Sequence, residues 1–567
     1  MASTRIGDFF NRRFFEIPKY QRGFAWEKQN IRELFDDVKE AIESNSNHYI
    51  GTIVLSKDSV DDEKFYVVDG QQRITTITLM MSALVRKLTK KDSDYYERFY
   101  VREDERFRLT PMSRDRKYFI DLLKGEVGEP QNKSQRFLKE AFEEIEFKVA
   151  AIPDSQKFLK SIEKLEVLEF VENSEGDAIR IFQTVNDRGK PLSNMEKAKS
   201  LLIYFSNRYL GKKLDNTINE VFSDIFEVYD DLKHMGEDLN ITLIRNKDFN
   251  EDNIMRYHFV TFSNLDYDPT AAYVLQFLKN SLVTLRNEAK NENYRPIEDF
   301  INNYIDSLKV FFISCKEVIE KAQTDEKYYK LFVMLNLSAT IYPLIVKLQS
   351  LKYLDQNLPS ADKNKFTFLD LVELIDVRVY KTRGTDPKAD IAGFVHSIDH
   401  RTKEEIEDWM RWFNARWMSK EQFHASLDGN IYGNRALSHV FICYCEHLQN
   451  KTFTIDELKK MVSKQPSVEH ILSQTPKFSP RALGFRNAED FLTFEHSLGN
   501  LTLLEKSLNS SVQNKSALDK VDSYGKSSFK ITKKVGSEID TNKGFTKVEL
   551  KARTEELAKF CNEIWWC

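Results

Sequence analysis

The sequence predicts an α+β protein that is predominantly helical, and three observations support this fold class. The 567 residues include only 19 glycines and 13 prolines. Lys-, Glu- and Leu-rich stretches with helical periodicity occupy most of the middle of the chain. Short β-branched and aromatic runs, typical of strands, lie near the N-terminus. An apolar fraction of 41% suits a folded globular protein, and a chain of this length is expected to divide into several domains.

The first 90 residues show mixed α and β patterns. The runs "YIGTIVLS" and "KFYVVDG" are predicted strands, because they are rich in β-branched and aromatic residues. Helical spacing of apolar residues predicts helices in "NIRELFDDVKEAIES" and over residues 75–90. The segment "FFEIPKYQRGFAW" is predicted to be irregular, since Pro18 favours extended geometry at Ile17.

The remainder of the chain is predicted to be mainly helical. Residues 110–170 read as helices, and Ser193 three positions before Glu196 forms a capping-box pattern that marks another helix start. Amphipathic helical segments then continue from 206 to about 448 without a convincing repeat. We therefore expect three domains: residues 1–205, a helical connector at 206–451, and a C-terminal domain at 452–567.

Charge and cysteine content narrow the function classes. The net charge of −4 gives the protein no overall electrostatic attraction to nucleic acid. Any binding to nucleic acid must therefore use a local patch of basic residues. The five cysteines lack paired CxxC spacing, so neither a disulfide framework nor a structural zinc site is expected. The N-terminus carries charges where a signal peptide needs an apolar core, and no apolar run is long enough for a membrane span. We expect a soluble cytoplasmic protein without a membrane partner.

The segment "DGQQR", at 69–73, is a candidate phosphate-binding turn between a strand and a helix. Gly70 permits a tight turn, and Arg73 offers a bidentate donor for phosphate. The following helix could add its N-terminal N–H groups. Two further polar turns repeat this chemistry, and they contribute Tyr20, Gln21 and Arg22, and Asn186 and Arg188. Taken singly, each of these turns is more often a surface turn than a ligand site.

The motifs "IPKYQRGFAW", "FYVVDGQQRITTITLM" and "FQTVNDRGKPLS" resemble the ParB-like N-terminal domain of GmrSD-type modification-dependent restriction enzymes. The resemblance implies a ParB/sulfiredoxin-like fold that binds, and often hydrolyses, a nucleoside triphosphate. It also implies that the domain senses modified DNA. By match of motif, the implied nucleotide site comprises Asp69, Gln71, Gln72 and Arg73, supported by Tyr20, Gln21, Arg22, Asn186 and Arg188.

A second constellation lies near the C-terminus. Metal-assisted cleavage of a phosphodiester needs a base, ligands for a divalent ion and a group that orients the base. Glu469 and His470 are adjacent on a strand-like run, so their side chains are expected on opposite faces. His496, Asn500, Asn509 and Asn514 follow. Either histidine alone would more often be a satisfied core residue, whereas histidine followed by asparagines at this spacing is the HNH arrangement.

The segment "VEHILSQ…HSLGNLTLLEKSLNSSVQNKSALDK" is similar to the C-terminal nuclease domain of the same family, which has a ββα-metal, HNH-like fold. The likeness implies that His470 is the general base, that Asn500 braces the site and that Asn509 is a metal ligand. It gives less specific roles to the remaining residues. Glu469 would be a second ligand or a supporting acid, His496 and Asn514 would ligate the metal or contact phosphate, and Lys515 and Lys520 would lie near the scissile backbone. Ser473 stands where the family usually has proline, and activity is expected to survive this difference.

These features predict a nucleotide-regulated DNA endonuclease of anti-phage defence. Its N-terminal domain would sense modified or foreign DNA, and its C-terminal domain would cleave that DNA with Mg²⁺ or Mn²⁺. The alternative is a nucleotide-switched DNA-binding or scaffold protein with an inactive nuclease domain, and a third reading is a toxin acting on RNA. A homodimer is a further expectation, because dimers are common for both domain types.

Overall fold

The computed structural model describes residues 2–18, 21, 23–44, 48–111, 114–173, 178, 193–264, 269–290, 292–360, 366–475 and 478–565. The chain forms two compact units. The first contains Met1–His234, Asn250–Met255 and Thr270–Ile313, and the second contains Met235–Phe249, Arg256–Pro269 and Ser314–Cys567. Residues of the predicted helical connector belong to both units, and the predicted three-domain division stays a prediction.

Strands are short and helices dominate the described residues, which agrees with the predicted fold class. The strands are β1 (Ala2–Arg5), β2 (Phe14–Ile17), β3 (Tyr49–Lys57), β4 (Lys64–Asp69), β5 (Arg102–Glu103), β6 (Arg106–Phe107), β7 (Leu109–Pro111), β8 (Glu166–Glu172), β9 (Ser467–His470) and β10 (Leu501–Leu504). The helices of the first part of the chain are α1 (Ile6–Phe10), α2 (Lys28–Ser44), α3 (Gln71–Val85), α4 (Lys90–Tyr100), α5 (Arg116–Leu123), α6 (Lys133–Ala150), α7 (Ser155–Lys164), α8 (Asn194–Tyr209), α9 (Asp215–Asp238), α10 (Thr242–Arg245), α11 (Glu251–Phe262), α12 (Ala271–Glu288) and α13 (Arg295–Lys321). Those of the remainder are α14 (Glu326–Tyr329), α15 (Tyr342–Ser350), α16 (Phe368–Ile375), α17 (Lys388–Ser397), α18 (Lys403–Trp417), α19 (Lys420–Asp428), α20 (Leu437–Gln449), α21 (Ile455–Ser463), α22 (Ala488–Leu492), α23 (Lys506–Val512), α24 (Ala517–Lys526), α25 (Lys530–Glu538) and α26 (Lys547–Ile564).

A mixed sheet organises the N-terminal part of the first unit. Within the described residues its strand order is β1-β8-β3-β4-β2-β7. β4 lies between β3, with which it pairs antiparallel, and β2, with which it pairs parallel. Strands β3 and β4 are rich in β-branched residues and largely buried, as expected for strands inside a covered sheet.

Gly70 connects the central strand β4 to helix α3. It adopts a left-handed conformation with φ of +88°, which lets the chain turn into the helix within one residue. A Cβ at this position would lie 2.9 Å from Cγ1 of Ile53 and 3.1 Å from the carbonyl oxygen of Thr52. The glycine of the predicted tight turn is therefore required both by its backbone conformation and by its close neighbours.

Helix α3 is buried along nearly its whole circumference. Its threonines tolerate this burial because they bond back to the helix. Thr76 donates to the carbonyl oxygen of Gln72 at 2.9 Å, and Thr78 donates to that of Ile74 at 2.8 Å. The Thr-rich run after "DGQQR" is thus the core helix of the first unit.

The predicted elements are mostly confirmed, with three corrections. The capping box at Ser193 and Glu196 is formed, and both predicted N-terminal strands are present. Helix α3 begins at Gln71 instead of residue 75, because Gly70 completes the turn early. Phe14–Ile17, predicted as irregular, is strand β2, and the predicted helical region at 110–170 ends in strand β8. In both cases pairing with distant strands supplies the backbone hydrogen bonds that the local pattern does not reveal.

We expect Gly70→Ala to destabilise the first unit by about 2 kcal/mol or more, since alanine at positive φ is strained and its Cβ would press on β3. Calorimetric unfolding of the full chain measures this effect. Gly128→Ala is the matched control, because its φ is not positive and its Cβ would meet only Tyr118 at an ordinary 3.7 Å. Equal melting of the two variants would contradict the assigned turn.

Candidate active site

Two glutamine side chains fix the polar turn that precedes α3. Gln72 accepts a hydrogen bond from the backbone N–H of Ala25 at 2.8 Å and donates to the carbonyl oxygen of Gly23 at 3.2 Å. Gln21 donates to the carbonyl oxygen of Val68 at 2.9 Å. The structure thus brings Gln21, Gly23 and Ala25 of one predicted polar turn into contact with the chain at Val68 and Gln72. Both polar ends of the Gln72 amide are used by the protein backbone, so Gln72 positions this loop.

Arg73 is held on the backbone of β3. Its Nη1 donates to the carbonyl oxygen of Thr52 at 2.9 Å. Its guanidinium covers Gly51, where an added Cβ would lie 2.6 Å from Cζ. Burial lowers the pKa of Arg73, and the carboxylate of Asp69 offsets part of that effect. A partly desolvated guanidinium at the start of a helix gains more from an anionic ligand than an exposed one does.

The other members of the predicted nucleotide site are only partly described. Gln71 is buried beside a cavity of about 30 Å³, which has room for ordered water. Tyr20, Arg22, Asn186 and Arg188 lie outside the described residues. Their predicted convergence on Asp69 and Arg73 stays a prediction.

In the second unit, β9 and β10 form an antiparallel hairpin that is followed by helix α23. His470 pairs with Leu501, and Glu469 pairs with Thr502. Because successive strand residues face opposite sides, His470 and Glu469 point in opposite directions, as predicted. One face of the hairpin therefore carries the histidine, and the other carries the carboxylate.

His470 and His496 meet on one face of this hairpin. Nε2 of His470 lies 3.0 Å from Nδ1 of His496. Burial, followed by the nearby His496 and Lys520, lowers the pKa of His470 to about 4. Glu495 places a carboxylate oxygen 3.7 Å from Nε2 of His496. His470 is therefore a neutral imidazole at pH 7, which is the form that accepts a proton or binds a metal ion.

Asn500 is fully buried and fixes the chain around this histidine pair. Its Oδ1 accepts from the N–H of Leu472 at 2.8 Å, and its Nδ2 donates to the carbonyl oxygens of Leu472 at 3.0 Å and Glu495 at 2.7 Å. Its own carbonyl accepts from the N–H of Ile471 at 2.8 Å. One amide thus ties the residues after His470 to the residue preceding His496.

Tyr432 is a third aromatic residue of this site that the sequence did not indicate. Its ring centroid lies 4.3 Å from that of His470 and 5.3 Å from that of His496, with the latter rings nearly parallel. The N–H of Ile431 donates to the carbonyl oxygen of His496 at 3.0 Å and fixes the segment. Tyr432 is 39% exposed, so the group is open to solvent at its ring. No local pattern in "GNIYGNR" distinguishes this tyrosine from a surface residue.

The opposite face of β9 carries a buried ion pair. Lys520 is 0% exposed, and its Nζ donates to Oε1 of Glu469 at 2.6 Å and to the carbonyl oxygen of His470 at 2.7 Å. The prediction that Lys520 contacts DNA is therefore corrected: its ammonium is inside the protein and supports β9. Glu469 is held by this lysine, away from the imidazole of His470.

Asn509 also lies away from the histidine pair. Its Nδ2 donates to Oγ of Ser467 at 2.8 Å. Ser467 shares the Glu469 face of β9 and is about 10 Å along the strand from His470. The structure thus brings His496 into contact with His470, and the predicted role of Asn509 as a metal ligand stays a prediction. Asn514 and Lys515 are exposed, and their predicted phosphate contacts stay predictions.

The geometry of an imidazole pair on a two-strand hairpin followed by a helix fits the class of metal-assisted hydrolases, and comparison with known proteins agrees. Residues 6–203 match the GmrSD restriction endonuclease N-terminal domain, and residues 417–560 match the GmrSD restriction endonuclease C-terminal domain. Together the two matches span more than half of the chain, and the chain belongs to the GmrSD-type family of restriction endonucleases. No curated protein gives a match. Family membership supports a restriction endonuclease role with DNA as the substrate.

We expect Asn500→Ala to lower the free energy of unfolding of the second unit by about 3 kcal/mol, because three buried backbone groups lose their partner. Asn509→Ala is the matched control and should cost about 1 kcal/mol or less, since it removes one partly exposed hydrogen bond. Calorimetry of the two variants compares these costs. A smaller loss for Asn500→Ala than for Asn509→Ala would be incompatible with the described network.

Proposed function

We propose that the chain is an HNH-type DNA endonuclease whose reaction centre is the His470–His496 pair. The proposal rests on the 3.0 Å distance between Nε2 of His470 and Nδ1 of His496, beside the partly exposed ring of Tyr432. The pair is fixed from behind by the buried amide of Asn500. The partly exposed side chain of His496 supports access of a phosphodiester to this pair from solvent.

His470 is the general base in this proposal. Its lowered pKa keeps the imidazole neutral at neutral pH, and the unprotonated nitrogen of a neutral imidazole can take a proton from the attacking water. Lys520 bonds to the carbonyl oxygen of His470 and holds the strand at this residue. His496, which is more exposed and has Glu495 beside it, would hold the divalent ion or the scissile phosphate.

The donor set fits a divalent metal ion in part. Because His470 is the proton acceptor in this proposal, the ion would be held by the imidazole of His496, with a carboxylate oxygen of Glu495 3.7 Å from its Nε2. When bound, the ion supplies a Lewis acid at the scissile phosphate. Imidazole suits transition metals better than Mg²⁺, so Mn²⁺ is favoured over Mg²⁺. Glu469 is held by Lys520 and the Asn509 amide donates to Ser467, so neither residue is included in this proposed donor set.

The N-terminal unit is proposed to bind a nucleoside triphosphate with a ParB-like fold. Arg73 would contact the phosphates, and the N–H groups at the start of α3 would add the field of the helix N-terminus. The hydrogen bonds of Gln21 and Gln72 to nearby backbone groups support an ordered loop at this turn. Nucleotide hydrolysis and the sensing of modified DNA would then restrain cleavage of the DNA of the host, as anti-phage defence requires.

Replacing His470 by alanine is expected to lower DNA cleavage by at least about 100-fold, since the general base is lost. Purified protein is incubated with glucosylated, phosphorothioated and plain DNA, with Mg²⁺ or Mn²⁺, and with or without each nucleoside triphosphate. His400→Ala is the matched control, because His400 is an exposed histidine of the same unit. Calorimetric melting of each variant verifies that the protein is folded.

Equal cleavage by His470→Ala and His400→Ala would exclude the proposed centre. Absence of cleavage by the wild-type protein under all these conditions, with nucleotide binding retained, would favour the nucleotide-switched DNA-binding protein instead. Preferential digestion of RNA would indicate an RNA-directed toxin.

Arg73→Ala is expected to weaken nucleotide binding at least about tenfold, because the proposed phosphate contact is charge-assisted. Arg73→Lys should recover only part of the affinity, since lysine keeps the charge but not the bidentate geometry. Binding is measured by calorimetric titration, with Arg116→Ala as an exposed arginine control in the same unit. Unchanged affinity in a folded Arg73→Ala protein would place the nucleotide elsewhere.

A further inference from the structure

A second group of metal-binding side chains lies outside the hairpin site. Glu373 on α16 and His439 and Cys443 on α20 direct one ligand atom each to a common point. These three atoms lie within 4.8 Å of one another, and no other such trio of His, Cys, Asp or Glu occurs among the residues that the structure describes. His439 is 0% exposed, while Glu373 and Cys443 are partly buried.

The spacing of the two ligands on α20 suits metal binding. His439 and Cys443 are four residues apart, so their side chains share one face of the helix. Sγ of Cys443 lies 3.7 Å from Nε2 of His439, and Oε1 of Glu373 lies 2.8 Å from the same nitrogen. Neighbouring ligands of a tetrahedral zinc ion are about 3.3–3.6 Å apart. The separation between Cys443 and His439 is already close to this range, and the contact between Glu373 and His439 would widen by about half an ångström.

The surroundings of the trio favour a bound cation. Nδ1 of His439 is buried without a hydrogen-bond partner, so the polar contacts of this ring are made through Nε2. Nε1 of Trp565 donates to Oε1 of Glu373 at 2.9 Å, which orients the carboxylate as outer partners of metal ligands do.

The chemistry of the donor set selects the metal. A thiolate, an imidazole and a carboxylate are together the ligands of zinc sites, whereas Mg²⁺ and Ca²⁺ prefer oxygen atoms alone. We propose that Glu373, His439 and Cys443 bind a Zn²⁺ ion that joins helix α16 to helix α20. Helix α20 packs on both strands of the β9–β10 hairpin and follows the Tyr432 segment. The ion stabilises the helix that supports the candidate active site, and it takes no part in cleavage.

The test measures zinc in the purified full-length protein. The chain is stripped with a chelator, incubated with Zn²⁺ or Co²⁺, passed through gel filtration and assayed for bound metal by mass spectrometry. About one Zn²⁺ per chain is expected beyond any metal at the histidine pair. The Co²⁺ form should show the absorption of a thiolate–cobalt bond. Zinc should also raise the melting temperature.

Variants assign the bound ion to the trio. Cys443→Ser and His439→Gln should lose this ion, the thiolate–cobalt band and the stabilisation by zinc. Cys445→Ala is the matched control, because it removes a buried cysteine of the same helix that bonds to the N–H of Ile531 instead. His470→Ala should retain the ion and its band, which separates this site from the proposed nuclease centre.

Two outcomes would overturn the zinc site. Recovery of wild-type protein with no zinc and no thiolate–cobalt band would show that the trio is a hydrogen-bonded ion pair. Alternatively, Cys443→Ser could bind as much zinc as Cys445→Ala, which would show that the metal is adventitious only. Both results can be obtained even if His439→Gln fails to fold, because the wild-type and serine forms suffice.

Discussion

The buried amide of Asn500 is the constraint on which the candidate active site depends. It joins the backbone at Leu472 to the backbone at Glu495, two places that are distant in the sequence. Because each place adjoins one of the two histidines, the amide sets the distance between His470 and His496. A side chain without both a donor and an acceptor could not satisfy all three backbone groups. The arrangement of the candidate site therefore rests on a side chain that is bonded to the protein backbone.

The N-terminal unit uses the same physical device. The side-chain amide of Gln72 donates to the backbone of Gly23 and accepts from the backbone of Ala25. These two hydrogen bonds attach the preceding loop to α3. Buried amides make such clamps effective, since an unpaired backbone group in the interior costs about 1–3 kcal/mol. Residues that look like ligand contacts in the sequence can therefore be the supports of a loop. Arg73 of α3 instead directs its guanidinium to the backbone of β3, with Asp69 nearby, and its contact with phosphate stays a proposal.

The two faces of strand β9 explain which predicted site residues meet and which do not. His470 faces Tyr432 and His496, whereas Glu469 faces the buried ammonium of Lys520. The period of two along a strand predicted this separation of neighbours. The strand period did not reveal which residues would pack on each face of β9, because Tyr432, His496 and Lys520 come from separate segments of the chain. Similarly, the spacing of His439 and Cys443 is visible on a helix, but the third ligand, Glu373, comes from another helix.

The sequence by itself determined the predominance of helix, the two strands that precede Gly70, the capping box at Ser193 and the family of the chain. These features are encoded locally, in apolar periodicity, in turn residues and in short ordered motifs. Only the tertiary structure decided that β2 pairs in the sheet, that Asn500 and Gln72 bind backbone, and that Lys520 is buried. Such contacts depend on the closure of long loops between distant segments, and no pattern within a few residues encodes which segments will meet.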